Sequence, residues 1–269
     1  MNKRALKLVW SDEFDYEGRP DPEKWSYEVG NHQWPNNEAQ AYTDRPANIR
    51  VEDGKMIITA LKEQDGEREY TSAKLVTYGK ASWKYGRIEV RAKLPGGRGA
   101  WPAIWMMPDS FHEGIDWPNC GEIDIMEFIP NATNSKIFRM TSRQNDMASS
   151  FNPEKSIVLF SLHSELHNHS NKDTVQYTHM TQEVETAATE FHTYGIDWTE
   201  DYIEFFVDDK PMVRYNKSDD NEDQSFRSWP FDQPFYLIMN IAVGGSLGGE
   251  IHDEDLPYVM EIESVKVYQ

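Results

Sequence analysis

Gly121-Glu122-Ile123-Asp124-Ile125-Met126-Glu127-Phe128 sets three carboxylates among apolar, strand-forming residues. Side chains two apart on a strand share a face. Glu122 and Asp124 therefore point together, while Glu127 falls on the opposite face of a regular strand. One extra residue restores it: a β-bulge at Ile125-Met126 turns Glu127 back beside the other two, and bulges recur next to active sites, where they re-aim a side chain. The three acids then line one cleft floor. An exposed acidic edge strand would read the same from this stretch alone. Trp101, Trp105 and Trp117 just upstream favour the cleft, because aromatic rings beside paired carboxylates suit a site that stacks on sugars while cutting the bond between them.

Outward from this stretch the chain reads as strand after strand. Residues 49–52 (IRVE) and 55–61 (KMIITAL) flank Asp53-Gly54, a strong hairpin signal. Residues 86–94 alternate apolar and polar through Ile88, Val90, Ala92 and Leu94. Further strands are predicted over 72–78, 190–198, 202–207, 212–215, 235–243 and 259–268, with a turn at Asp208-Asp209. The unbroken apolar run around Leu237 and Val243 suits a strand in the middle of a sheet. No stretch keeps a helical period, nothing repeats, and no low-complexity linker divides the chain, which predicts one all-β domain over 1–269, a sandwich or barrel.

Composition narrows the function. The formal net charge of -19 and pI near 4.8 repel phosphate backbones, so neither nucleic acid nor an anionic membrane is expected as a partner. Nine Trp and thirteen Tyr exceed what a core of this size needs and favour a neutral, ring-shaped ligand. The single cysteine, Cys120, excludes an intrachain disulfide and reads as a small buried thiol. No apolar run reaches membrane-spanning length, and residues 1–10 hold no stretch long enough for a signal peptide. The expected location is extracellular if a leader has been removed, and cytoplasmic otherwise. The loop at 34–38 (WPNNE) carries more amides and aromatics than a connector needs and reads as a binding loop.

These motifs together resemble glycoside hydrolase family 16, in its laminarinase-like branch of endo-β-glucanases, over nearly the whole chain. The resemblance rests on 10–14 (WSDEF), Asn37, Glu38, Gln40 and Tyr42, 85–95 (YGRIEVRAKLP), 101–106 (WPAIWM), 116–118 (DWP) and 121–127. It resumes over 191–198 (FHTYGIDW), 229–237 (WPFDQPFYL), 240–245 (NIAVGG) and 265–269 (VKVYQ). It implies a β-jelly roll of two curved antiparallel sheets with a concave substrate cleft, in an enzyme that cleaves β-1,3 or mixed β-1,3-1,4 glucan with retention. Its alternatives are a non-catalytic glucan-binding module on the same fold and a hydrolase of galactans such as agar or carrageenan.

The resemblance also assigns residues. Glu122 matches the nucleophile, Glu127 the general acid/base, and Asp124 the residue that tunes the pair. Asn37, Arg87, Trp101, Trp105, Trp117, His163 and Asn240 match positions that face the sugar. Catalysis needs no cofactor. Glu13, Gly54 and Glu263 match a structural calcium site of the family, although Glu263 stands where aspartate is usual. The expected partner is a β-glucan polysaccharide or oligosaccharide, and the chain is expected to be a monomer. The bulge residue itself points to the laminarinase-like branch, since the family's dedicated lichenases space the acids evenly.

Residues 131–161 have no counterpart in the family's usual connection, and read either as a wall of the cleft or as a solvated flap. The following stretch, 162–169 (LHSELHNH), reads as a histidine-bearing strand. On it His163, Glu165, His167 and His169 share a face, a spacing that would permit zinc.

Overall fold

The computed structural model describes residues 6–130, 156–171, 180–219 and 225–269. In chain order its strands are β1 (Leu8–Asp12), β2 (Ser26–Tyr27), β3 (Gln40–Tyr42), β4 (Ile49–Glu52), β5 (Lys55–Asp65) and β6 (Arg68–Ser72). Next come β7 (Lys74–Val76), β8 (Gly86–Lys93), β9 (Ala100–Pro108), β10 (Glu122–Ile129), β11 (Ile157–His163) and β12 (Met180–Glu183). The last are β13 (His192–Trp198), β14 (Tyr202–Val207), β15 (Lys210–Asn216), β16 (Phe235–Val243) and β17 (Tyr258–Tyr268). Among the described residues helix is confined to short turns such as Gly245–Gly248, and no described helix is long and apolar enough to cross a membrane.

Two sheets result. The first runs β15-β14-β13-β8-β17-β5-β6-β3, with β1 added on β17 and β4 on β5; the second runs β12-β11-β10-β9-β16-β7-β2. Pairing is antiparallel except between β3 and β6. The expected hairpin forms: Asp53 and Gly54 both take positive φ (52° and 70°), the twist that suits a tight turn, and Glu52 pairs with Lys55. Asp208 and Asp209 repeat the device between β14 and β15.

Alternation assigns each strand's faces. From the first sheet, Ile88, Val90, Ile196, Phe205, Ile262 and Val265 enter a core shared with Ile104, Met106, Ile123, Phe128, Leu237, Met239 and Ile241 of the second. β16 lies between β9 and β7. It is apolar along almost its whole length because its other face, Tyr236, Ile238, Asn240 and Ala242, is the floor of a cleft and is buried too.

β10 breaks the alternation where its sequence predicts. Asp124 pairs with Ser161 and Glu127 with Leu159, so three steps on β10 match two on β11. On the β9 side Asp124 pairs with Trp105 and Met126 with Ile104. The consecutive side chains of Ile125 and Met126 are both fully buried in the core, which is the extra residue of a bulge. Gly121 leads in at φ 95°, where a Cβ would lie 2.7 Å from Pro230 Cγ.

The histidine-bearing strand starts and ends earlier than expected. β11 spans Ile157–His163 and is buried throughout, and the chain leaves the sheet at Ser164. Residues 131–155 of the predicted insertion lie outside the described residues.

Candidate active site

The solvent-facing side of the second sheet carries a cleft of about 770 Å³. β10 contributes Glu122, Asp124 and Glu127, β9 contributes Trp101 and Trp105, β11 contributes His163, and β16 contributes Asn240. Asn37 joins from the loop before β3 and Trp117 from the loop before β10. The bulge is what places Glu127 here, because a regular strand would aim it into the core with Phe128's neighbours.

Each acid is held. The Trp101 indole donates from Nε1 to Glu127 Oε1 at 3.0 Å. His163 Nε2 lies 3.2 Å from Asp124 Oδ2 and 3.6 Å from Glu122 Oε1. Burial pushes the Glu122 carboxyl well up, and the negative charge of Asp124 adds to it, while His163 opposes. Asp124 is raised by burial to about 8, against a hydrogen bond with Glu122 that favours its ionised form. Glu127 is raised by burial and then by the Asp124 charge, and the Trp101 hydrogen bond partly offsets both. Burial also lowers the His163 imidazole, so it stands neutral at pH 7. Three carboxyl groups this close cannot all carry charge. The hydrogen bond between Glu122 and Asp124 lets one proton serve both, so a single charge is shared by that pair, and its field keeps Glu127 protonated. One ionised carboxylate beside one protonated carboxyl is the pairing that acid-assisted nucleophilic displacement requires.

Polar and aromatic groups extend from this centre across the sheet. Trp105 Nε1 donates to Asn240 Oδ1 at 2.8 Å, and Asn240 Nδ2 donates to the Tyr42 hydroxyl at 2.9 Å. That hydroxyl donates to Glu38 Oε2 at 3.2 Å, which also accepts from Gln40 Nε2 at 2.7 Å. On the other side of the acids the Trp117 ring stacks on His169, centroids 5.1 Å apart and planes at 30°. Flat apolar faces alternating with fixed donors and acceptors suit a chain of sugar rings.

The family model for glycosyl hydrolases family 16 matches residues 36–258, most of the chain. The chain belongs to glycoside hydrolase family 16. The β-glucanase of Rhodothermus marinus is 47% identical over 98% of this chain and 85% of its own length. The glucan endo-1,3-β-glucosidase of Cryptopygus antarcticus is 37% identical over 93% of this chain and 85% of its own length. The crystal structure of the laminarinase from Rhodothermus marinus superposes with a TM-score of 0.82 at 46% identity, covering 98% of this chain and 97% of that one. This family 16 protein is therefore a glycoside hydrolase, and its two-sheet sandwich is the jelly roll of its relatives.

Of the residues predicted to face the sugar, Arg87 does not. It sits on β8 in the first sheet, on the face away from the core. Its Nε donates to Glu89 Oε1 at 2.6 Å and its Nη1 to Asp197 Oδ2 at 3.0 Å, Nη2 reaches Asp209, and the guanidinium lies 3.8 Å over the Phe206 ring. Alternation shows that Arg87 points away from Ile88 but not which sheet's outer face holds the cleft.

The predicted zinc spacing fails as well, because the chain turns after His163: Glu165 pairs with Arg227 at 2.8 Å, and only His169 returns to the cleft. Cys120 is buried, and burial pushes its thiol up to about 12, which leaves it unreactive.

The family's calcium set lies on the first sheet. Glu13 follows Asp12, which pairs with Val265, and Gly54 precedes β5, whose Met56 pairs with Ile262. The set does not fit the ion as it stands. Glu263 Oε2 accepts from Arg91 Nε at 2.6 Å and Glu13 faces Lys266 Nζ at 3.3 Å, so cations of the chain already hold both carboxylates.

The cleft also holds residues with no predicted role. Lys74 Nζ lies between the Trp34 and Trp105 rings, 5.2 and 4.9 Å from their centroids, and pairs with Glu28 at 2.6 Å. The only signal was a lone lysine between small and apolar neighbours on a predicted strand. Glu38, from the loop predicted to bind, lines the cleft too and is pushed up by burial, with Gln40 its chief opposing contact.

Proposed function

We propose that the protein is a retaining endo-β-glucanase that cuts β-1,3 linkages in laminarin-type glucan, or the mixed β-1,3-1,4 glucans, by double displacement. The observation that carries this reading is the bulge at Ile125-Met126, which sets Glu127 beside Glu122 on the floor of an aromatic cleft.

Glu122 attacks the anomeric carbon as a carboxylate while Glu127 gives its proton to the departing glycosidic oxygen. The bond to that oxygen breaks as the Glu122 ester forms. Glu127, now ionised, takes a proton from water, and the water displaces Glu122 with a second inversion, so the configuration is retained. Asp124 holds Glu122 through the hydrogen bond between them, and the Trp101 indole holds Glu127 at the leaving-group oxygen. Trp105, held by Asn240, and Trp117, held by His169, offer stacking faces on either side of the cut.

The test is product analysis on laminarin, lichenan, barley glucan and agarose, with the anomer of the first-formed product read by proton NMR. We expect β-anomers from laminarin, from a mixed-linkage glucan, or from both, with agarose untouched. Binding without turnover would reduce the protein to a glucan-binding module, and first-formed α-anomers would refute the double displacement.

A further inference from the structure

His163 Nε2, Glu122 Oε1 and Asp124 Oδ2 converge: the contacts of His163 with the two acids are 3.6 and 3.2 Å, and all three ligand atoms lie within 4.8 Å of one another. Metal–ligand distances of about 2.0–2.1 Å in a tetrahedron give donor–donor edges of about 3.3 Å, close to the two contacts His163 makes with the acids. An imidazole with two carboxylates is a donor set suited to borderline divalent ions such as zinc, and too poor in oxygen for calcium. Asp124 is only 4% exposed, and its Oδ2 makes no hydrogen bond. All three residues line the open cleft, and the His169 ring stands 5.4 Å from the His163 ring.

We propose that Glu122, Asp124 and His163 form a divalent-cation site of zinc type, so that a bound metal and a bound glucan exclude each other. The inhibition rests on the catalytic role proposed for Glu122, because the metal acts by taking the carboxylate that attacks sugar. Metal binding itself does not depend on that role. A net charge of -19 raises the local concentration of cations at the cleft. No substrate is consumed in the process, and a chelator reverses it.

The test titrates the full chain with zinc chloride in a chelator-free buffer at pH 7, by calorimetry, and then measures laminarin hydrolysis at fixed zinc levels. We expect one site, an apparent KM that rises with zinc while kcat holds, and full recovery with EDTA. His163→Asn and Asp124→Asn should each weaken zinc at least about tenfold, whereas His252→Asn, at a half-buried histidine outside the cleft, should change neither binding nor inhibition. Absence of calorimetric binding overturns the proposal. So do wild-type zinc affinity in both cleft variants, and a fall in kcat at constant KM. Should the protein hydrolyse no glucan at all, the calorimetric comparison still decides the metal site, because it reads binding alone.

Discussion

Both sheets bury carboxylates, and they neutralise them differently. On the first sheet, bases do it: Arg87 meets Glu89 and Asp197, and Lys55 and Lys93 both meet Glu261. Burial raises Asp197, and the Arg87 charge is the main influence pulling it back. On the second sheet Glu122, Asp124 and Glu127 suffer the same desolvation with no arginine or lysine among their contacts with the described residues, and protons neutralise them instead. A carboxylate matched by a base is fixed and inert. One matched by a proton can give that proton away. The difference separates residues that hold this molecule together from residues that act.

The largest effect should come from Glu122→Gln. Loss of the attacking oxygen should lower kcat/KM on laminarin by at least about 10³-fold, with Tm unchanged or higher. Near-normal turnover would remove Glu122 from its role and dissolve the distinction between the sheets.

Arg87→Met should do the opposite. It strands Glu89 and Asp197 as buried charges, a loss of about 3–5 kcal/mol and a fall in Tm on the order of 10 °C. Turnover per folded molecule at 25 °C should hold. Loss of turnover with intact stability would return Arg87 to the substrate.

Asp124→Asn sharpens the contrast through pH. The ordinary value for this group is 3.8 and its folded value is about 8. A raised carboxyl favours the folded state below its ordinary value, and that contribution is lost as pH rises through the folded value. Removing the group should therefore raise Tm by about 2–5 °C at pH 8 and leave it unchanged at pH 4, while turnover falls. An equal shift at both pH values would show that the acids are not held protonated by burial.

The smallest effect should be that of EDTA. With Arg91 and Lys266 already on Glu263 and Glu13, chelation should move Tm by less than about 1 °C. A larger drop would show that a calcium ion displaces Arg91.

The sequence exposed the parts of this structure that depend on period alone. Alternation across Ile88, Val90 and Ala92, the positive-φ pair Asp53-Gly54 and the misphased Glu127 are local facts, and each appears in the fold where it was expected. Arg87 was misplaced because a polar position on an alternating strand looks the same on either sheet's outer face. The histidine run misled for a related reason: spacing by two implies one face only while the strand continues, and β11 stops at His163. Lys74 and Glu28 were unreadable as a pair because strand pairing between β2 and β7, not chain proximity, brings them together.

The bulge on β10 is phase-neutral. Ile125 and Met126 share one step of the pleat, so every side chain from Glu127 onward keeps the facing it would have if one of the two were absent. Losing a single codon there would leave Glu122 and Asp124 on the cleft face and bring the second glutamate, one place closer in sequence, onto it as well. β10 can therefore lose a residue there in one genetic step with its acids still on the cleft face. The pleat tolerates at this position a deletion that would turn the strand inside out anywhere else along it.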